Sequence, residues 1–86
     1  MRKFQVTVYV FRKVGCSNPE ESTTLAALHR LDLQVISGIR MGRCFLLSVD
    51  AQDEIDAGQA AQTACKKLLA NLVMEQFEIV GIRETK

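Results

Sequence analysis

Residues 34–50 read QVISGIRMGRCFLLSVD, and the reading of this stretch decides the fold. "QVISGIRMG" (34–42) and "RCFLLSVD" (43–50) both have the apolar, β-branched character of strands. Met41-Gly42 lies between them as a tight hairpin, with Gly42 supplying the positive φ that such a turn needs. Two antiparallel strands at the centre of the chain are therefore expected, and the flanking segments set the architecture.

Upstream, "NPEESTTLAALHRL" (18–31) carries a helix start. Asn18 is the expected cap, Pro19 occupies the first helical position, and Glu21 can close a capping box. Leu25, Leu28 and Leu31 form the apolar stripe, with Ala27 at its edge. Before it, "KFQVTVYVF" (3–11) alternates: Phe4, Val6, Val8 and Val10 face one way, Gln5, Thr7, Tyr9 and Phe11 the other, as in a strand. "RKVGCS" (12–17) joins the two as a loop. Downstream, "AQDE" (51–54) is a polar connection. A second helix is expected from about Glu54 to Ala70, capped by Asp53, with Ala57, Ala60 or Ala61, Ala64 or Cys65, Leu68 and Leu72 at helical spacing. "KKLLANLVMEQFEI" (66–79) then holds two apolar runs separated by Asn71, read as a left-handed helix stop. "QFEIVGIR" (76–83) is the last strand. The order β-α-β-β-α-β gives an α+β, ferredoxin-like sandwich: one domain over 1–86, an antiparallel sheet with two helices on one face.

Such a sheet leaves its second face to water, and a wet face is mostly polar. Here large apolar residues remain on several strands after one face is covered. Tyr9, Phe11, Leu47, Val80 and Ile82 are the expected self-association face, since contiguous exposed apolar patches mark interfaces. A copy of the same chain is the simplest partner.

The chemistry is sparse. Net charge is +1, with 24% charged and 48% apolar residues, which is globular and offers no strong field for nucleic acid or anionic membrane. No apolar run reaches the roughly 18 residues of a membrane span, and the alternating start is unlike a signal peptide, so a cytoplasmic location is expected. The three cysteines, Cys16, Cys44 and Cys65, are odd in number and form no CxxC pair. With His29 they could supply four zinc ligands, but they fall on four separate elements, and no metal site is expected. Cys16 and His29 would stand about 15 Å apart along the helix, too far for a nucleophile pair. Phosphate-loop motifs are absent. No catalytic residue is expected. Polar loop tips on a rigid scaffold are the expected contact surface for a partner: Val14, Gly15, Cys16 and Ser17 in the first loop, and Arg40, Gly42 and Arg43 at the hairpin.

"CKKLLANLVMEQFEI" (65–79), "VISGIRMGR" (35–43), "NPEESTTLAALHRL" and the opening "KFQVTVYV" together resemble PurS, the small-subunit family of phosphoribosylformylglycinamidine (FGAM) synthase. Three positions depart from the family pattern: Asn18 for its usual Asp, Glu21 for Gly, and Asp32 where Gly often follows the first helix. The resemblance implies a self-associating protein, dimer or tetramer, with no cofactor of its own. It implies assembly with a large synthetase subunit, PurL, and a glutaminase subunit, PurQ, in a complex that uses ATP, Mg and glutamine to convert FGAR to FGAM on the route to IMP. A second reading, an ACT-like small-molecule-sensing domain, shares the element order.

Overall fold

A computed structural model describes residues 1–15 and 18–85. Strand β1 runs over Arg2–Arg12, helix α1 over Pro19–Arg30, strand β2 over Gly42–Ala51, helix α2 over Glu54–Ala64, and strand β3 over Glu75–Thr85. A π-helical turn, Cys65–Leu69, prolongs α2. The three strands form one antiparallel sheet in the order β2-β1-β3.

The alternation in β1 controls the packing. Phe4, Val6, Val8 and Val10 are buried, and Ala57, Ala61 and Cys65 of α2 and the π turn close over them. The small residues let the helix lie close to the sheet, and Gly58 brings it against Ile82. Phe45, Leu47 and Val49 of β2, and Phe77, Ile79 and Ile82 of β3, pack around this core. Asp53 caps α2 by accepting the N–H of Asp56 at 2.9 Å, as its position implies.

The α+β class with an antiparallel sheet holds, but the opening stretch resolves differently. Residues 34–41 form no strand, so there is no hairpin at Met41-Gly42. Several of their polar groups bond to α1 and its tail. The Nε2–H of His29 donates to the Ile36 carbonyl at 2.8 Å, and the Gln34 amide donates to the His29 carbonyl. The Met41 N–H donates to the Glu21 carboxylate at 2.6 Å. Glu21 thus ties down the segment's end instead of closing a capping box, while Asn18 caps α1 by accepting from Glu20 N–H at 3.0 Å. Gly42 has no positive φ. It is needed for close approach, because a Cβ there would collide with the Val10 carbonyl oxygen.

The core is filled from the sheet, α2 and the π turn, while α1 has no buried residue. It ends at Asp32, whose φ of 63° is the left-handed cap that glycine usually provides; Leu33 N–H closes back on the Leu28 carbonyl. The result is long and thin, 51 × 29 × 13 Å. Its radius of gyration is 16.4 Å, against about 12 Å for a compact chain of this length.

Candidate functional site: the basic end of the sheet

The sheet register sorts the charges. At one end β1 finishes at Phe11 and Arg12, paired with Gly42 on β2 and with Gln76 and Glu75 on β3. Arg12, Lys13, Arg40 and Arg43 gather here, with Lys66 and Lys67 on the adjoining π turn. At the other end Asp50, Asp53, Glu54, Asp56 and Glu84 surround Arg2 and Lys3. There Arg2 grips Glu84 with two hydrogen bonds, 2.8 and 2.7 Å. That bond holds the Glu84 carboxyl below its usual range and raises the Arg2 guanidinium above its own.

At the basic end the two arginines have different tasks. Arg43 Nη2 donates to both Glu75 carboxylate oxygens, at 2.7 and 2.8 Å, and so joins β2 to β3 across the end of β1. Arg40 lies over the Phe11 ring, 4.3 Å from its centroid, and donates to the Arg12 carbonyl at 2.9 Å. It has no carboxylate partner among the described residues. Between them opens a cleft of about 300 Å³, lined by Tyr9, Phe11, Arg40, Met41, Arg43 and Cys44. The arrangement presents hydrogen-bond donors and an aromatic floor. It contains no nucleophile–base pair, and among the described residues no group of three His, Cys, Asp or Glu side chains could hold a metal.

The structure brings Arg40, Gly42 and Arg43 together in this cleft, with Val14 fully in solvent on the next loop and Gly15 beside it. Cys16 and Ser17 lie outside the described residues. Of the expected self-association face, Tyr9 and Val80 are exposed on the outer side of the sheet, and Phe11 is half-buried under Arg40. Leu47 and Ile82 instead pack against the core. Leu47 alternates with Leu46, and it is Leu46 that is exposed, at 62%. Ile82 turns inward because Val80 is an extra residue: Val8 pairs with Ile79 and Thr7 with Gly81, so a bulge shifts the alternation by one. Gly81, a glycine inside the strand next to Val80, is the local mark of that bulge in the sequence.

The cysteines also separate. Cys65 is buried, and burial pushes its thiol up; Cys44 is exposed at the cleft. The junction after α2 departs from its expected form. Leu68 is 83% exposed, and Leu69 takes the inward place. Helix geometry stops at Ala70, which is extended, and Asn71 has no positive φ. Its side chain accepts the Val73 N–H at 3.1 Å instead, forming an Asx turn.

The family model of PurS, described as phosphoribosylformylglycinamidine (FGAM) synthase, matches residues 5–82. The chain is 32% identical over 73 residues to the FGAM synthase subunit PurS of Archaeoglobus fulgidus, covering 85% of this chain and 91% of that one. It is 31% identical over 81 residues to the PurS subunit of Synechocystis, covering 92% and 81%. A chain in the structure of PurLQS from Thermotoga maritima superposes with a TM-score of 0.85 at 26% identity, covering 99% of this chain and all of the other. These likenesses favour the FGAM synthase reading over an ACT-like sensor. No helix among the described residues is long and apolar enough to cross a membrane. With a family match spanning nearly all of it, and both relatives above 30% identity, this chain belongs to the PurS family of FGAM synthase.

Proposed function

We propose that this chain is the non-catalytic small subunit that assembles an FGAM synthase, working in the cytoplasm with a PurL-like synthetase subunit and a PurQ-like glutaminase subunit. In this reading the larger subunits supply glutamine hydrolysis and the ATP- and Mg-dependent amidine-forming step, and this chain binds no cofactor. The observation that carries it is the family match over residues 5–82. The basic cleft supports a binding role, since Arg40 is held by a backbone carbonyl and an aromatic ring and keeps donors for a partner's carboxylate.

Self-association is part of the same proposal. The chain exposes 6239 Å². A folded monomer of 9.6 kDa is expected to expose about 5,100 Å². The excess, roughly 1,100 Å², exceeds the approximately 800 Å² that one partner contributes to a standard interface. Leu31 and Val35 of the α1 region, 70% and 89% exposed, and Tyr9, Leu46 and Val80 of the outer sheet face belong to that surface.

The test is reconstitution. Purified synthetase and glutaminase subunits are assayed for glutamine-dependent FGAM formation with and without this chain. Activity that depends on its addition, with co-elution of all three proteins, is the expected result; full activity without it rejects the reading. Charge reversal of Arg40 and Arg43 together should weaken co-elution.

A further inference from the structure

The π turn and the loop after it build an apolar projection that the fold does not need. Along α2 the inward positions run Ala57, Ala61, Cys65. The π turn inserts one residue, so Leu69 and Ala70 continue the inward line and Leu68 is rotated into water. Val73 follows at the tip of the Asx turn, 82% exposed, with Leu72 and Met74 partly exposed beside it. The backbone under these side chains is firmly held. Lys13 Nζ donates to the Leu72 carbonyl at 2.6 Å, Lys13 N–H donates to the Met74 carbonyl at 2.9 Å, and Asn71 N–H donates to Glu75 Oε1 at 2.9 Å. A rigid apolar group in solvent has already met its ordering cost before a partner arrives.

The surroundings of the projection are cationic. Lys66 and Lys67 share the turn with Leu68, and Lys13 reaches under Leu72. The nearest carboxylate, Glu75, is held by Arg43. The charge pattern selects the occupant. A two-fold contact of knob on knob would set this lysine collar against itself, which is repulsive. The acidic end of another copy would satisfy the charges, but the clefts described on this chain lie at its basic end, so that end offers the knob no matching apolar pocket. A different protein with an acid-rimmed apolar pocket meets both the apolar and the charged requirements.

We propose that the α2–β3 junction is a docking knob, in which Leu68, Leu72 and Val73 enter an apolar pocket on a larger protein subunit whose rim supplies carboxylates to Lys13, Lys66 and Lys67. The inference rests on the assembly role proposed above and names the contact that makes it. The knob adjoins the arginine cleft through Glu75, which bonds both Arg43 and the Asn71 N–H, and its apolar centre inside a polar rim is the usual layout of an interface that binds through a few anchor residues.

The test is titration of the purified synthetase and glutaminase subunits with the full-length chain and its variants. Val73→Asp and Leu68→Ser change exposed side chains, so circular dichroism and the self-associated mass should stay as in wild type. Each should weaken binding to a larger subunit by at least about tenfold, the loss typical of an anchor residue. Lys66→Glu with Lys67→Glu should also weaken binding and flatten its dependence on salt. Binding by Val73→Asp and Leu68→Ser within about twofold of wild type, a shift too small for an anchor, overturns the knob. Loss of self-association with intact binding to the larger subunits assigns the knob to a second copy and overturns the proposal. Tighter binding by the lysine reversals overturns the acidic rim. Failure of the wild-type chain to bind either subunit overturns the assembly role itself, and is thereby distinguished from failure of the knob alone.

Discussion

The sheet with α2 and the region around α1 are built from similar residues and end in different states. On the sheet side, Phe4, Val6, Val8 and Val10 are fully buried beneath Ala57, Ala61 and Cys65, with apolar residues of β2 and β3 packed around them. On the α1 side, Leu25 and Leu28 are only half-covered, and Leu31 and Val35 stand in water. α1 nevertheless has a full set of local devices: an Asn cap, proline at its start, a left-handed stop and a tethered tail. An isolated helix of twelve residues is marginal in water even with good caps. Good capping therefore gives α1 its shape, and in the self-association proposed above a second chain adds the cover that this half lacks.

This contrast can be broken by experiment. Phe4→Ala removes the largest core side chain and should cost about 3–5 kcal/mol in urea denaturation. Leu28→Ala in α1 should cost about 1 kcal/mol in the unassembled chain; equal costs would remove the distinction between the two regions. Gly42→Ala drives a methyl into the Val10 carbonyl where the regions meet, and should cost about 1–3 kcal/mol. Within α1, Asn18→Ala should cost about 1 kcal/mol. Asp32→Gly should return about 0.5–1 kcal/mol, because the left-handed φ no longer burdens a side chain. The smallest effect is expected from Glu84. Its folded carboxyl titrates below its unfolded value, so its support is present at neutral pH and disappears as pH falls through the folded value. The pair with Arg2 is exposed, so Glu84→Gln should shift the acid unfolding curve only slightly, and less at high salt.

The sequence makes part of this architecture legible and hides another part for identifiable reasons. Alternation in residues 3–11 carries the core directly, because one strand with a buried face shows a period of two. Both helix starts are legible because caps are local chemistry. The missing strand over 34–41 is not, because its fate depends on contacts with α1: His29 and Glu21 reach out from that helix, and Gln34 reaches back to it. Ile82 and Leu68 were displaced for one shared reason: an extra residue, a bulge in β3 and a π turn after α2, shifts the periodicity from which their facing is read. In the candidate site, Arg40 and Arg43 stand out as charges at a turn. Leu68, Leu72 and Val73 stand out only as two apolar runs around Asn71, which a core would explain equally well.

The central claim is that this chain is completed by association. Sedimentation velocity of the purified chain at micromolar concentration tests it most directly. The account predicts a species of at least two chains. A stable single chain at that concentration would contradict it.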